Sequence, residues 1–235
     1  MRTTLGILIL LACLAGCKDR CIRLDGPRER YEQQLLPVHS LALLTPAEVT
    51  LYVDTFAHSH LEIFAQPEVY HVLNTDVANA QCIVEMDACF KDQEAVLINA
   101  TFKRIDSITF ESAGQITSGN LILQDSIRIK NTGLGDIDLT LKSEQVFSHI
   151  TSSGSIILAG TANRSVSLAS GSGEISAFNL VADSAVIHTI GSSIIQVYAD
   201  RYLEVHFWSP TTVQYRGEPD SIVVFGEGTL VDANL

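Results

Sequence analysis

Between Ser112 and Leu230 the chain repeats one arrangement seven times: a small, often glycine-bearing pair of positions, then an aliphatic residue two places on. Examples are Gly133-Leu134-Gly135-Asp136-Ile137 and Gly171-Ser172-Gly173-Glu174-Ile175. The second small position falls at 114, 135, 154, 173, 193, 211 and 228, at intervals of 21, 19, 19, 20, 18 and 17 residues. Such a period predicts stacked units that share one core. Two residues after each of these positions stand Ile116, Ile137, Ile156, Ile175, Ile195, Val213 and Leu230. This ladder predicts the core, each burial contributing about 1.5–3 kcal/mol. Six residues before the small positions 114 to 228 come Ile108, Ile129, Ser148, Ser167, Ile187, Val205 and Ile222, and four before those positions Phe110, Asn131, Ile150, Ala169, Thr189, Phe207 and Val224. Both columns are expected to point mostly inward. Gln115, Asp136, Ser155 and Glu174 alternate with the ladder and are expected in solvent.

A parallel β-helix and an array of antiparallel hairpins both alternate and both repeat. The repeat region lacks Asn-Gly and Asp-Gly turn signals, which favours the coil. The fold class is therefore expected to be all-β, a single-domain β-solenoid with coils of about 17–21 residues. Upstream, Val49–Val53, Leu61–Ile63 and Val96–Ile98 read as strands of the first coils and cap, and Pro67–Asn79 as the one place for a short helix.

Hydrophobic residues make up 46% of the 235 and charged residues 18%, which suits a folded core rather than disorder. The net charge of −12 argues against nucleic acid as a partner, since neutralising phosphates requires the opposite sign. Met1–Gly16 reads as a leader: one early charge, Arg2, then an apolar run, Leu5–Leu11, too short to span a bilayer. It closes on Leu14-Ala15-Gly16-Cys17, which resembles the lipobox of bacterial lipoproteins. That resemblance implies a signal peptide over 1–16, lipidation (palmitate among the acyl chains) at Cys17, and a membrane as partner through the anchor. Lys18 rather than Asp follows Cys17, so the outer membrane is the expected location, on either face. A tether over 17–36 then leads to the solenoid domain, 37–235.

Three further cysteines lie beyond Cys17, in a compartment where disulfides persist. Cys82 alternates with Val84 as a core residue would, whereas Cys89 sits in a looser stretch. Cys21 is therefore expected to pair with Cys89, with Cys82 as the alternative partner. The long loop so closed is worth about 4 kcal/mol in the chain-entropy model.

Several segments together resemble the auto-transporter adhesin head domain family called GIN. They are Gly171-Ser172-Gly173-Glu174-Ile175, Ala177-Phe178-Asn179-Leu180, Val213-Gln214-Tyr215-Arg216-Gly217-Glu218-Pro219 and Gly226-Glu227-Gly228-Thr229-Leu230, with Val49-Thr50-Leu51 and Arg104-Ile105-Asp106-Ser107-Ile108 upstream. The resemblance implies a right-handed parallel β-helix in a cell-envelope protein, an adhesion or glycan- or protein-binding role, and no catalytic residues or cofactor. Ser152, Ser193 and Ser209-Pro210-Thr211 depart from the family's Gly-Ser-Gly corners.

Candidate chemistry is sparse. His149, His188 and His206 share an outward column with Thr109, Lys130, Leu168 and Val223, a possible surface ligand ladder with no carboxylate in the column. No close Cys or His pair has zinc-finger spacing, so no metal is expected. His58 with His60, and Asp136 with Asp138, read as solvated faces. Trp208 near Tyr198, Tyr202 and Tyr215 could stack on a sugar, although core or corner packing is the expected role. A polysaccharide-cleaving enzyme on the same scaffold would need acids and a Lys or Arg converging on one face, and a structural scaffold would need neither.

Overall fold

The computed structural model describes residues 21–24, 26–91 and 95–234. Cys17 and the leader lie outside these. The chain opens with β1 (Ile22–Arg23), β2 (Glu29–Gln34), β3 (Ser40–Leu43), β4 (Ala47–Val53) and β5 (His60–Ala65). One helical turn, α1 (Pro67–Tyr70), leads to β6 (Leu73–Ala78), β7 (Gln81–Met86), β8 (Phe90–Lys91) and β9 (Val96–Phe102). The repeats supply β10 (Ser107–Phe110), β11 (Gly114–Ser118), β12 (Ile122–Asn131), β13 (Asp136–Ile150), β14 (Ser155–Ala169) and β15 (Glu174–Thr189). The last coils hold β16 (Ile194–Tyr198), β17 (Tyr202–Phe207), β18 (Thr212–Arg216), β19 (Ser221–Gly226) and β20 (Thr229–Asp232).

The result is a β-solenoid of about seven turns. Strands of successive coils in the repeat region pair in parallel, and the ladder stacks residue on residue: Ile116 on Ile137, Ile156, Ile175, Ile195, Val213 and Leu230. All but Leu230 are fully buried. The column runs on below the repeats through Val49, Ile98, Ile63 and Tyr31. Its eleven rungs, about 4.8 Å apart, make a rod of about 48 Å.

Close backbone approach explains the corner glycines. A Cβ on Gly154 would lie 2.2 Å from the carbonyl oxygen of Gly135 one coil below, a contact no side chain tolerates. Where the sequence departs from glycine, the hydroxyl takes over the carbonyl below: Ser193 Oγ donates to Gly171 O at 2.9 Å, and Ser209 Oγ to Gly191 O at 2.8 Å. Asn131, inside the core column and fully buried, donates to the carbonyls of Gly135 (2.7 Å) and Ser155 (3.1 Å) and accepts from the Gly133 amide (3.1 Å). Its buried amide is thereby fully partnered, and it ties the corner of its own coil to that of the next.

The structure corrects several expectations. The final coil is out of register with the sequence columns: Val205 pairs with Val224 rather than Ile222, Phe207 with Gly226 rather than Val224, and His206 with Phe225 rather than Val223. The corner between β19 and β20 is two residues shorter than that between β17 and β18, so positions counted back from the anchor slip by two. The short helix expected within 67–79 is there, one turn over Pro67–Tyr70, and the rest of that stretch is β6, which forms an antiparallel hairpin with β7. Its two-residue turn, Asn79-Ala80, has positive φ at both positions (51° and 60°), the backbone of a type I′ turn carrying Ala in place of Gly.

The base also differs. β4 lies between β9 and β11, so the coil of residues 40–53 sits between two later ones. β5 adds antiparallel to β9, and β2, the polar strand Glu29–Gln34, adds antiparallel to β5 and closes that end. Part of the expected tether is thus the end cap, whose alternating Tyr31 packs inward while its charged neighbours face water.

Candidate functional site

Period-two alternation puts Tyr202, Glu204 and His206 on the outward side of β17. Glu204 joins them: the Tyr202 hydroxyl donates to Oε2 and His206 Nε2 meets Oε1, both at 2.6 Å. Parallel register lays His188 of β15 on one side of His206, rings stacked 4.5 Å apart, and Phe225 of β19 on the other at 4.6 Å. The hydrogen bond from Tyr202, and then the one with His206, hold the Glu204 carboxyl below its usual range. The same bond to Glu204 raises the Tyr202 phenol. Partial burial, then the neighbouring His206, lowers the His188 imidazole.

The structure therefore brings together two of the three predicted histidines. His149 is separated from His188 by Leu168, and its own imidazole is lowered by burial and by Lys130. Phe225 and Glu204 were missed. The first was hidden by the shortened last corner, the second because it lies one outward position along the strand rather than in the same column. No group of three or more His, Cys, Asp or Glu among the described residues is arranged to hold a metal ion.

A second feature had no sequence signal. An open cleft of about 650 Å³ lies on the outer surface, lined by Lys103, Arg104, Lys142, Asp125, Glu144 and neighbouring amides and hydroxyls. Arg104 pairs with Asp106 at 2.8 Å, whereas Lys103 and Lys142 have no carboxylate partner among the described residues. These residues come from a loop and from two successive coils, so only stacking assembles them.

The remaining expected residues are dispersed. Asp136 and Asp138 face outward, Asp136 accepting from Ser155 Oγ at 2.6 Å. His60 Nδ1 meets the carbonyl of His58, 2.9 Å away. Trp208 is not packed in a corner; it is exposed, beside exposed Ile190 of the preceding coil. Cys21 is joined to Cys89, and Cys82 is buried and free, its thiol pushed up to about 12 by burial.

The model of the putative auto-transporter adhesin, head GIN domain, matches residues 45–219. Three crystal structures have the same fold. A putative adhesin from Bacteroides fragilis is 19% identical, with a TM-score of 0.83 over 89% of this chain and 98% of that one. A putative lipid binding protein from Parabacteroides distasonis is 18% identical, with a TM-score of 0.72 over 92% and 100%. A putative adhesin from Parabacteroides merdae is 16% identical, with a TM-score of 0.70 over 91% and 99%. No protein with a curated description matches the sequence.

Proposed function

With a chain that belongs to the putative auto-transporter adhesin head GIN domain family as the premise, we propose a non-enzymatic binding head of the cell envelope, held to the outer membrane by lipid at Cys17. One observation carries the reading: the two ends of the rod are unlike. The Cys21–Cys89 disulfide ties Cys21, four positions after Cys17 in sequence, to the end that the antiparallel cap closes. Exposed apolar and aromatic side chains gather at the other end, Trp208, Ile222, Val224 and Phe225 among them. A rod fixed at its base and sticky at its tip suits adhesion to a glycan or an envelope protein.

The test labels cells with a palmitate analogue and then shaves intact cells with protease. Cys17→Ser should abolish labelling and release the protein from the membrane fraction. An unlabelled parent protein, or a variant that stays membrane-bound, would refute the anchor. Loss of the tip on shaving would put the head outside the cell.

The cleft favours a second reading. Lys103, Arg104, Lys142, Asp125 and Glu144 meet there, the convergence that a polysaccharide-cleaving enzyme needs. Incubating the protein with acidic polysaccharides and following new reducing ends separates the two readings, since a binding head leaves the chains intact.

A further inference from the structure

The last coil continues columns that are sealed everywhere else. Val205 is fully buried, yet Val224, stacked directly on it, is 46% exposed; Leu203 is fully buried, yet Ile222 above it is 43% exposed. Phe225 extends the His188–His206 stack and has its outer face bare, at 51% exposure. β19 pairs only with β17 and β20 only with β18 among the described residues, so each leaves one edge of backbone donors and acceptors free. Natural proteins cover or charge such edges, and this one does so at its base with β5 and β2.

Charge says what fits. Residues 217–234 carry Glu218, Asp220, Glu227 and Asp232, all exposed, and no Lys, Arg or His. The bases one coil back are engaged: His206, stacked on Phe225, meets Glu204, Arg216 lies over the Phe178 ring and Arg201 pairs with Asp183. An apolar strand edge is therefore ringed by carboxylates alone. A second copy of the same end would set four acids against four, whereas a cationic strand is complemented on every side.

We propose that this open end is a docking surface for an extended, amphipathic segment of a partner protein, with alternating apolar residues flanked by Lys or Arg, which adds as a strand to β19. Its apolar side chains continue the columns of Ile222 and Val224, a Lys or Arg from its opposite face lies over the Phe225 ring, and its other bases meet Glu218, Asp220, Glu227 and Asp232. The inference rests on the binding-head reading for its biological setting, but binding in solution tests it apart from the anchor.

The experiment measures fluorescence anisotropy of a labelled seven-residue peptide, alternating Lys and Val about a central Phe, with the full chain. A second peptide carries Glu in place of every Lys. The expected result is binding of the Lys peptide at least about tenfold tighter than the Glu peptide, weakening several-fold as salt rises past physiological strength. The variant Val224→Ser/Phe225→Ser should lose about tenfold, and E227K/D232K should erase the preference between peptides. Both tip variants alter exposed side chains, and unchanged thermal melting confirms that they fold. Absence of binding, equal binding of the two peptides, or binding untouched by the tip variants overturns the proposal. A dimer by sedimentation that Val224→Ser/Phe225→Ser dissociates also overturns it, because the occupant is then a second copy.

Discussion

Ile156→Ala should be among the most damaging single truncations in this chain, and the structure gives the size. Ile156 is fully buried between Ile137 and Ile175, with strands paired on both sides. The substitution removes three carbons, worth about 2.4 kcal/mol in transfer alone at ~0.8 kcal/mol each. Parallel ladders on both sides prevent the backbone from closing the gap, so the cavity term adds to this and the total comes to about 3–4 kcal/mol. At about 2–4 °C per kcal/mol for a chain of this size, the melting temperature should fall by about 6–16 °C. Leu230→Ala removes a similar volume from the same column at its uncovered last rung, and should cost about 1 kcal/mol or less. Urea unfolding of the parent and both variants, with the slope checked for constancy, reads the two values. Equal losses at 156 and 230 would refute the claim that one continuous core, sealed in the middle and open at the tip, holds the rod together.

Gly154→Ala should destabilise by at least about 2 kcal/mol, since the new methyl meets the Gly135 carbonyl oxygen and Asn131 Nδ2 in a corner that cannot widen; a melting shift within error would count against the close-approach account. Stability should fall as pH drops from 7 to 5, because burial and His206 hold the folded His188 pKa below the unfolded value of about 6.5, so the unfolded chain takes up the proton first. His188→Phe, which keeps the aromatic stack, should flatten that part of the urea-midpoint profile. Glu204, whose folded pKa is lowered, adds a further loss below about pH 4.5, as the carboxylate becomes protonated; Glu204→Gln should remove that limb and, by taking away a charge that raises His188, deepen the loss between pH 7 and 5. Cys21→Ser should destabilise the base by up to about 4 kcal/mol, since the 68-residue separation makes a long loop; protease cleavage confined to residues before β10 would show that the loss is local.

The coil was legible because each repeat places the same kind of residue at the same offset, and in-register stacking turns that offset into a shared face. Ile116 through Leu230 needed nothing more. The last rung of the outward column was misassigned for a physical reason: a shortened corner and a shifted register both read as a 17-residue interval, and only strand pairing separates them. Strand order at the base carried no local signal at all. Val49 and Ile98 pair because of what lies above and below them, and alternation is indifferent to direction, so antiparallel β5 looked like an ordinary coil strand, while the polar β2 read as tether. The hairpin turn at Asn79-Ala80 escaped because its second residue is not glycine. Of the candidate sites, the histidine pair could be found from the column, whereas Lys103, Lys142 and Glu144 meet only after the coils have stacked.

The seating of residues 40–53 between two later turns makes that segment a keystone. Each turn from β13 onward can be laid on its predecessor as it emerges, like courses of brick. The segment 40–53, by contrast, must wait, holding its apolar faces open, until residues 81–102 arrive beneath it and 107–118 above. Whole turns could therefore be added to or taken from the upper rod during evolution, while the foundation has to be inherited or lost as one piece.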